Sequence, residues 1–154
     1  MISKITFPKS IFDNSKSCIY VLSIDNKKYY VGITGSKNSQ GEFISSPFKR
    51  LSKHVVYSNS SRTFSIFKNN LKIDLKESEI DFYYFTFDNS SDKKLHIEGE
   101  KYLINLFKTN KLEILNSNLD KNYLSKEYKN NLSKEDEKSL DDFFDYITEI
   151  QLPF

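Results

Sequence analysis

A hairpin signal near the start of the chain constrains the fold more than any other feature. Ser17 to Ile24 is rich in β-branched and apolar residues, and Asp25-Asn26-Lys27-Lys28 is a polar turn. Tyr29 to Thr34 returns as a second strand, so the pair is an antiparallel hairpin. Glu79 to Phe87 has the strongest strand composition in the chain, with Ile80, Phe82, Tyr83, Tyr84, Phe85 and Phe87. Its apolar residues fall on both faces, which predicts an inner strand covered on both sides.

Helical segments lie between and after these strands. Ser46-Pro47 reads as a cap followed by proline at the first helical position, opening a helix to about Tyr57. A short helix is expected over Thr63 to Asn70, and a longer one over Asp92 to Phe107. Ile114-Leu115-Asn116 is a short extended piece, and Ser139 to Ile150 is amphipathic through Leu140, Phe143, Phe144 and Ile147. The apolar face of that last helix is a candidate dimer contact, although packing on its own domain is the simpler reading. Monomer and homodimer both remain open. The whole is an α+β chain: an N-terminal arm over 1–16, a central domain over 17–118 and a C-terminal helical extension over 119–154.

Composition bounds the rest. A chain of 154 residues suits one domain. Only 38% of residues are hydrophobic, but 13 Phe and 10 Tyr let large rings supply the buried area. One cysteine rules out an internal disulfide and a cysteine-based zinc site, and Cys18 in its apolar run reads as a small buried hydrophobe. Met1 to Ser10 shows no secretory pattern and no stretch reaches membrane-spanning length, so a cytoplasmic setting is expected. The net charge of +2 hides an asymmetry. Lys134 to Glu149 carries seven acids and two lysines, a local −5, which leaves +7 on the remainder. A basic body with an acidic end suits a polyanion partner.

Chemistry-bearing residues are spread along this frame. Cys18-Ile19-Tyr20 and Tyr30-Val31-Gly32 are two short words on the hairpin strands, and Tyr20 and Tyr30 are spaced for their rings to converge on one sheet face. Arg50 and His54 stand one helical turn apart and project together. Glu100 lies in the Asp92–Phe107 helix, with Glu98 as its rival. Two residues apart, the pair cannot face the same site.

Tyr20, Tyr30, Gly32, Arg50, His54, Glu100 and Asn116, in that order, resemble the GIY-YIG nuclease family over roughly Ser17 to Asn118. The first word departs from the family pattern, with Cys18 in place of glycine, a change in backbone packing rather than in a chemical group. The resemblance implies a small central, mostly antiparallel three-stranded sheet flanked by helices. It implies DNA cleavage, with double-stranded DNA as the partner and a restriction or defence role as the most natural setting. It favours Glu100, which is followed four residues later by Ile104, as the single carboxylate holding Mg2+, or Mn2+ in its place. It also implies that Tyr20 takes a proton from the attacking water and that Asn116, Asn118 or Asn110 is the closing asparagine.

The residue types fit that chemistry. One carboxylate suffices for Mg2+ when waters and substrate oxygens complete the shell. A free tyrosine with a pKa near 10 is a poor base at neutral pH, so it needs a neighbouring cation or an acceptor such as His54. Arg50 is permanently charged and suits the scissile phosphate, Tyr30 can hydrogen-bond the phosphate or the water, and Gly32 lets backbone approach the substrate. Lys49, Lys53, Arg62 and Lys68 are candidates for flanking phosphates. The competing expectation is a non-catalytic nucleic-acid-binding module that keeps the nuclease fold.

Overall fold

The computed structural model of the chain describes residues 3–13, 16–34, 40, 46–55, 77–88, 93–118 and 129–149. It is α+β. Strands β1 (Ile19–Ile24), β2 (Lys28–Ile33), β3 (Ile80–Phe85) and β4 (Glu113–Ile114) form one sheet, and helices α1 (Pro47–Val55), α2 (Lys93–Thr109) and α3 (Lys134–Glu149) accompany it. The expected short helix over Thr63 to Asn70 lies outside the described residues.

The hairpin forms because its turn tolerates an unusual backbone. Asp25 and Asn26 both take positive φ, 52° and 53°, which short polar side chains accept better than most. The Lys27 N–H closes the turn on the Ile24 carbonyl at 3.1 Å. Asp25 also ties the turn to the start of β3, accepting from the Glu79 N–H at 2.8 Å.

The sheet order is β3-β1-β2-β4. β1 pairs antiparallel with β2 and with β3, while β4 pairs parallel with β2. Two expectations are thereby corrected. The sheet is four-stranded and mixed rather than three-stranded and mostly antiparallel, because the short piece after α2 returns alongside β2. The apolar β3 is not an inner strand. Among the described residues it lies at the edge, and β1 and β2 take the middle. Residues of β3 are only partly buried, whereas every residue of β1 is buried. Aromatic content on both faces reports coverage of the faces and says nothing about neighbours in the hydrogen-bonding direction.

Two cores result, one on each sheet face. Ile19, Val21, Tyr29 and Val31 pack against Leu103, Ile104 and Phe107 of α2 and Leu140, Phe144 and Ile147 of α3. On the opposite face Tyr20, Leu22, Ile24 and Tyr30 cluster with Leu115, and Leu51 of α1 packs against them. The apolar side of α3 is thus spent within its own chain: Phe144 meets Phe107 edge-on at 4.9 Å, and Tyr102 of α2 donates to Asp141 at 2.8 Å. Ser133 caps α3, its Oγ accepting from the Asp136 N–H at 3.1 Å and donating to the Asp136 carboxylate at 2.8 Å. Among the described residues no helix is long and apolar enough to cross a membrane.

Candidate active site

The site gathers at the end of the hairpin where β1 begins and β2 finishes. Tyr20 stands directly opposite Gly32 on β2 and opposite Tyr84 on β3. Its ring lies over Gly32 so closely that a Cβ there would overlap the phenol, so glycine is a packing requirement at that position. Tyr30, two residues before Gly32, faces the same side, and its ring centroid is 6.3 Å from that of Tyr20. The even spacing across a tight hairpin brings the two rings together.

Arg50 arrives from α1. Ser46 caps this helix, its Oγ accepting from the Lys49 N–H at 3.2 Å and its carbonyl from the Arg50 N–H at 3.1 Å, with Pro47 at the first helical position. The Arg50 Nε is buried and has no hydrogen-bond partner among the described residues. Its positive charge acts on Tyr20, Cys18 and Glu100.

Glu100 arrives from α2, the helix whose Leu103, Ile104 and Phe107 pack on the Ile19 and Val21 side of the sheet. The preceding Gly99 makes that approach possible, since a Cβ there would come within 2.7 Å of Ile19 Cδ1 and 3.0 Å of the Phe87 ring. Close approach at Gly99 sets Glu100 beside the first residues of β1. Burial pushes its carboxyl up from 4.5 to about 7, against the pull of Lys101 and Arg50. Burial also raises the Tyr20 phenol well above its ordinary value, and Tyr30 and Glu100 add to the rise while Arg50 opposes it. Tyr20 is therefore a neutral hydroxyl near pH 7. Glu98 instead pairs with Lys101 at 3.3 Å.

Cys18, where the family pattern has glycine, is buried beside Thr34. The Thr34 Oγ1 accepts from the Cys18 N–H at 3.1 Å and lies 3.2 Å from its Sγ. Burial holds the thiol at about 11, so it is neutral. Thr34 and Gly99 position the site without offering a reactive group. A glycine one residue before the helix carboxylate was the available signal for the second.

The three candidate asparagines separate. Asn116 is buried and grips β2 with both ends of its amide, accepting from the Val31 N–H at 2.8 Å and donating to the Val31 carbonyl at 2.7 Å. It continues the β2–β4 ladder past Ile114, holding the strand between Tyr30 and Gly32. Asn110 instead donates to the Leu106 carbonyl at the end of α2. The side chain of Asn118 lies outside the description, as do those of His54 and Lys53, and Arg62 and Lys68 are outside the described residues altogether. Lys49 is exposed on α1.

Among the described residues no three His, Cys, Asp or Glu side chains form a metal cluster. Glu100, expected from the sequence as a single carboxylate ligand, is partly buried on α2. Its burial disfavours the charged form, and a hard divalent ion such as Mg2+ or Mn2+ would relieve that cost through oxygen ligation. No family model, no curated protein and no solved structure matches the chain.

Proposed function

We propose that this chain is a metal-dependent endonuclease of GIY-YIG type, hydrolysing phosphodiester bonds of double-stranded DNA as a restriction or defence nuclease. One observation carries the reading: two phenols 6.3 Å apart, a guanidinium whose buried Nε has no partner among the described residues and a partly buried carboxyl, distant in sequence, come within electrostatic reach of one another. Hydrolysis requires water to attack phosphorus, the in-line P–O bond to break and negative charge to be relieved on both oxygens.

Arg50 has the charge, and an Nε–H without a partner among the described residues, to clamp the scissile phosphate. Tyr30 orients the phosphate or the attacking water. Tyr20 accepts the water's proton as it passes its own proton on, with His54 as the receiving group. A neutral, buried phenol must lose its proton as it gains one, and the Arg50 charge lowers the cost of that exchange. Glu100 would hold Mg2+ or Mn2+, which supplies charge relief to the phosphate and the leaving oxygen. Asn116 keeps β2 straight under Tyr30 and Gly32 without touching the reacting atoms.

One observation favours a second reading, a nucleic-acid-binding module without catalysis: Tyr20 is only 2% exposed. Plasmid incubation separates the two. Wild type with Mg2+ should nick and linearise supercoiled DNA, and Glu100→Ala and Arg50→Ala should each slow this by about 100- to 1000-fold. Salt-sensitive DNA binding by a wild type that never cuts would transfer the assignment to the binding module.

A further inference from the structure

The N-terminal arm builds a cavity against the candidate active site. The arm contributes a 3-10 turn over Lys9–Phe12, anchored by the buried Ile11, and its Ser10 Oγ lies 2.6 Å from the Tyr84 hydroxyl. Between arm and sheet is a cavity of about 250 Å3. Ser10, Asp13 and Lys16 line it from the arm, Cys18 and Tyr84 from the sheet, and Pro47 from the start of α1. Cys18 and Tyr84 are the neighbours of Tyr20 along and across the strands. Pro47 begins the helix that carries Arg50.

We infer that this cavity is a subsite for one nucleobase next to the scissile phosphate, turned out of its stack and its pair, an inference that rests on the nuclease reading above. Position comes first. Tyr84 is one strand over from Tyr20, about 4.8 Å. Successive nucleotides are separated by about 3.4 Å along a duplex axis, so one strand spacing is comparable to one nucleotide step. Size comes second, since the cavity is smaller than the roughly 300–1,000 Å3 that drug-sized ligands need. Chemistry comes third. Tyr84 supplies an aromatic ring and Pro47 an apolar contact on the cavity wall. The wall carries a carboxylate at Asp13, an ammonium at Lys16 and the Ser10 hydroxyl engaged with Tyr84, a polar mix suited to a base edge. The Asp13 carboxylate would repel a phosphate in the same space. Phe7 and Phe12, 42% and 53% exposed, surround Phe48 beside the cavity and extend the apolar surface for neighbouring bases. By contrast, the larger cavity of about 550 Å3 between β3 and α3 is lined by Asp88, Glu135 and Asp136 and is hostile to a polyanion.

The test uses the full chain with Mg2+ and duplexes in which a single abasic site is stepped through the positions around the cut. One position next to the cut should raise KM about tenfold, with kcat within about twofold. Ser10→Trp, which fills the cavity, should raise KM on intact DNA by the same factor and abolish the extra effect of the abasic site. If the arm of that variant fails to fold, Lys16→Ala and Asp13→Asn carry the comparison. Equal abasic penalties at every position, or penalties that add to that of Ser10→Trp, would overturn the subsite and leave the nuclease intact. A metal-free arm keeps the two readings apart. A duplex containing 2-aminopurine at that position should change its fluorescence on binding Glu100→Gln, the change should vanish with Ser10→Trp, and it should persist with Tyr146→Ser. That pattern with a wild type that never cuts would retain the base pocket and discard the nuclease.

Discussion

The two faces of the sheet are built from the same alternating strands and do different work. The face under α2 and α3 is a largely apolar core in which Leu103, Phe107, Leu140 and Ile147 are fully buried. The face under α1 and the arm buries the phenols of Tyr20 and Tyr30, packs Tyr84 against them, and abuts Arg50, whose Nε has no partner among the described residues. Glu100 belongs to the helix of the first face and acts on the residues of the second. Apolar packing stabilises the first face, whereas the second carries groups whose burial opposes their charged forms. Such sites trade stability for chemistry.

Removing packing from the first face should give the largest effect on stability. Phe107→Ala should lose about 3–5 kcal/mol in urea unfolding, because the ring is wholly buried between Tyr29 and Phe144. Cleavage per folded molecule should hardly change.

Glu100→Gln should do the reverse, raising stability while abolishing cleavage. The folded-state carboxyl is raised from 4.5 to about 7. Between those values the unfolded chain releases its proton and the folded chain keeps it, so wild-type stability falls as pH rises and levels off above about 7. The glutamine variant lacks this loss, and its advantage should reach about 3 kcal/mol at pH 8.5 and vanish near pH 4. Melts across that range read it directly. Mg2+ should narrow the gap by stabilising wild type alone, and a gap insensitive to both pH and Mg2+ would break the contrast between the faces.

Asn116→Ala sits between them. It strands a buried N–H and carbonyl on Val31 and should cost about 2 kcal/mol. Its rate loss should come with an unchanged pH profile, as expected of a residue that only holds β2 in place. Tyr146→Ser is the smallest. The ring is 60% exposed and touches Tyr83 edge-on at 6.1 Å, so stability should move within about 0.5 kcal/mol and cleavage not at all.

Local signals carried much of this structure into the sequence. Asp25-Asn26 between two β-branched runs specified the hairpin, and Ser46-Pro47 specified the start of α1, because turns and caps are set by the residues that form them. The even spacing of Tyr20 and Tyr30 put their rings on one face for the same reason. Sheet order was not legible. β3 looks central by composition and lies at the edge, because strand adjacency depends on which backbone groups meet across long loops. β4 is two residues long, and its parallel pairing with β2 leaves no mark that composition could carry.

The sequence by itself determined the hairpin, the helix start at Ser46-Pro47, the buried character of Cys18 and the order of the reactive residues. All of these follow from interactions within a few positions. Only the tertiary structure decided that Glu100 would come within electrostatic reach of Tyr20 and Arg50, that Asn116 would lock Val31, and that the arm would enclose a cavity beside Tyr84. Each depends on a distance between segments far apart in the chain, set by close packing at places such as Gly99 and Ile19, where a single methyl group would force a shift.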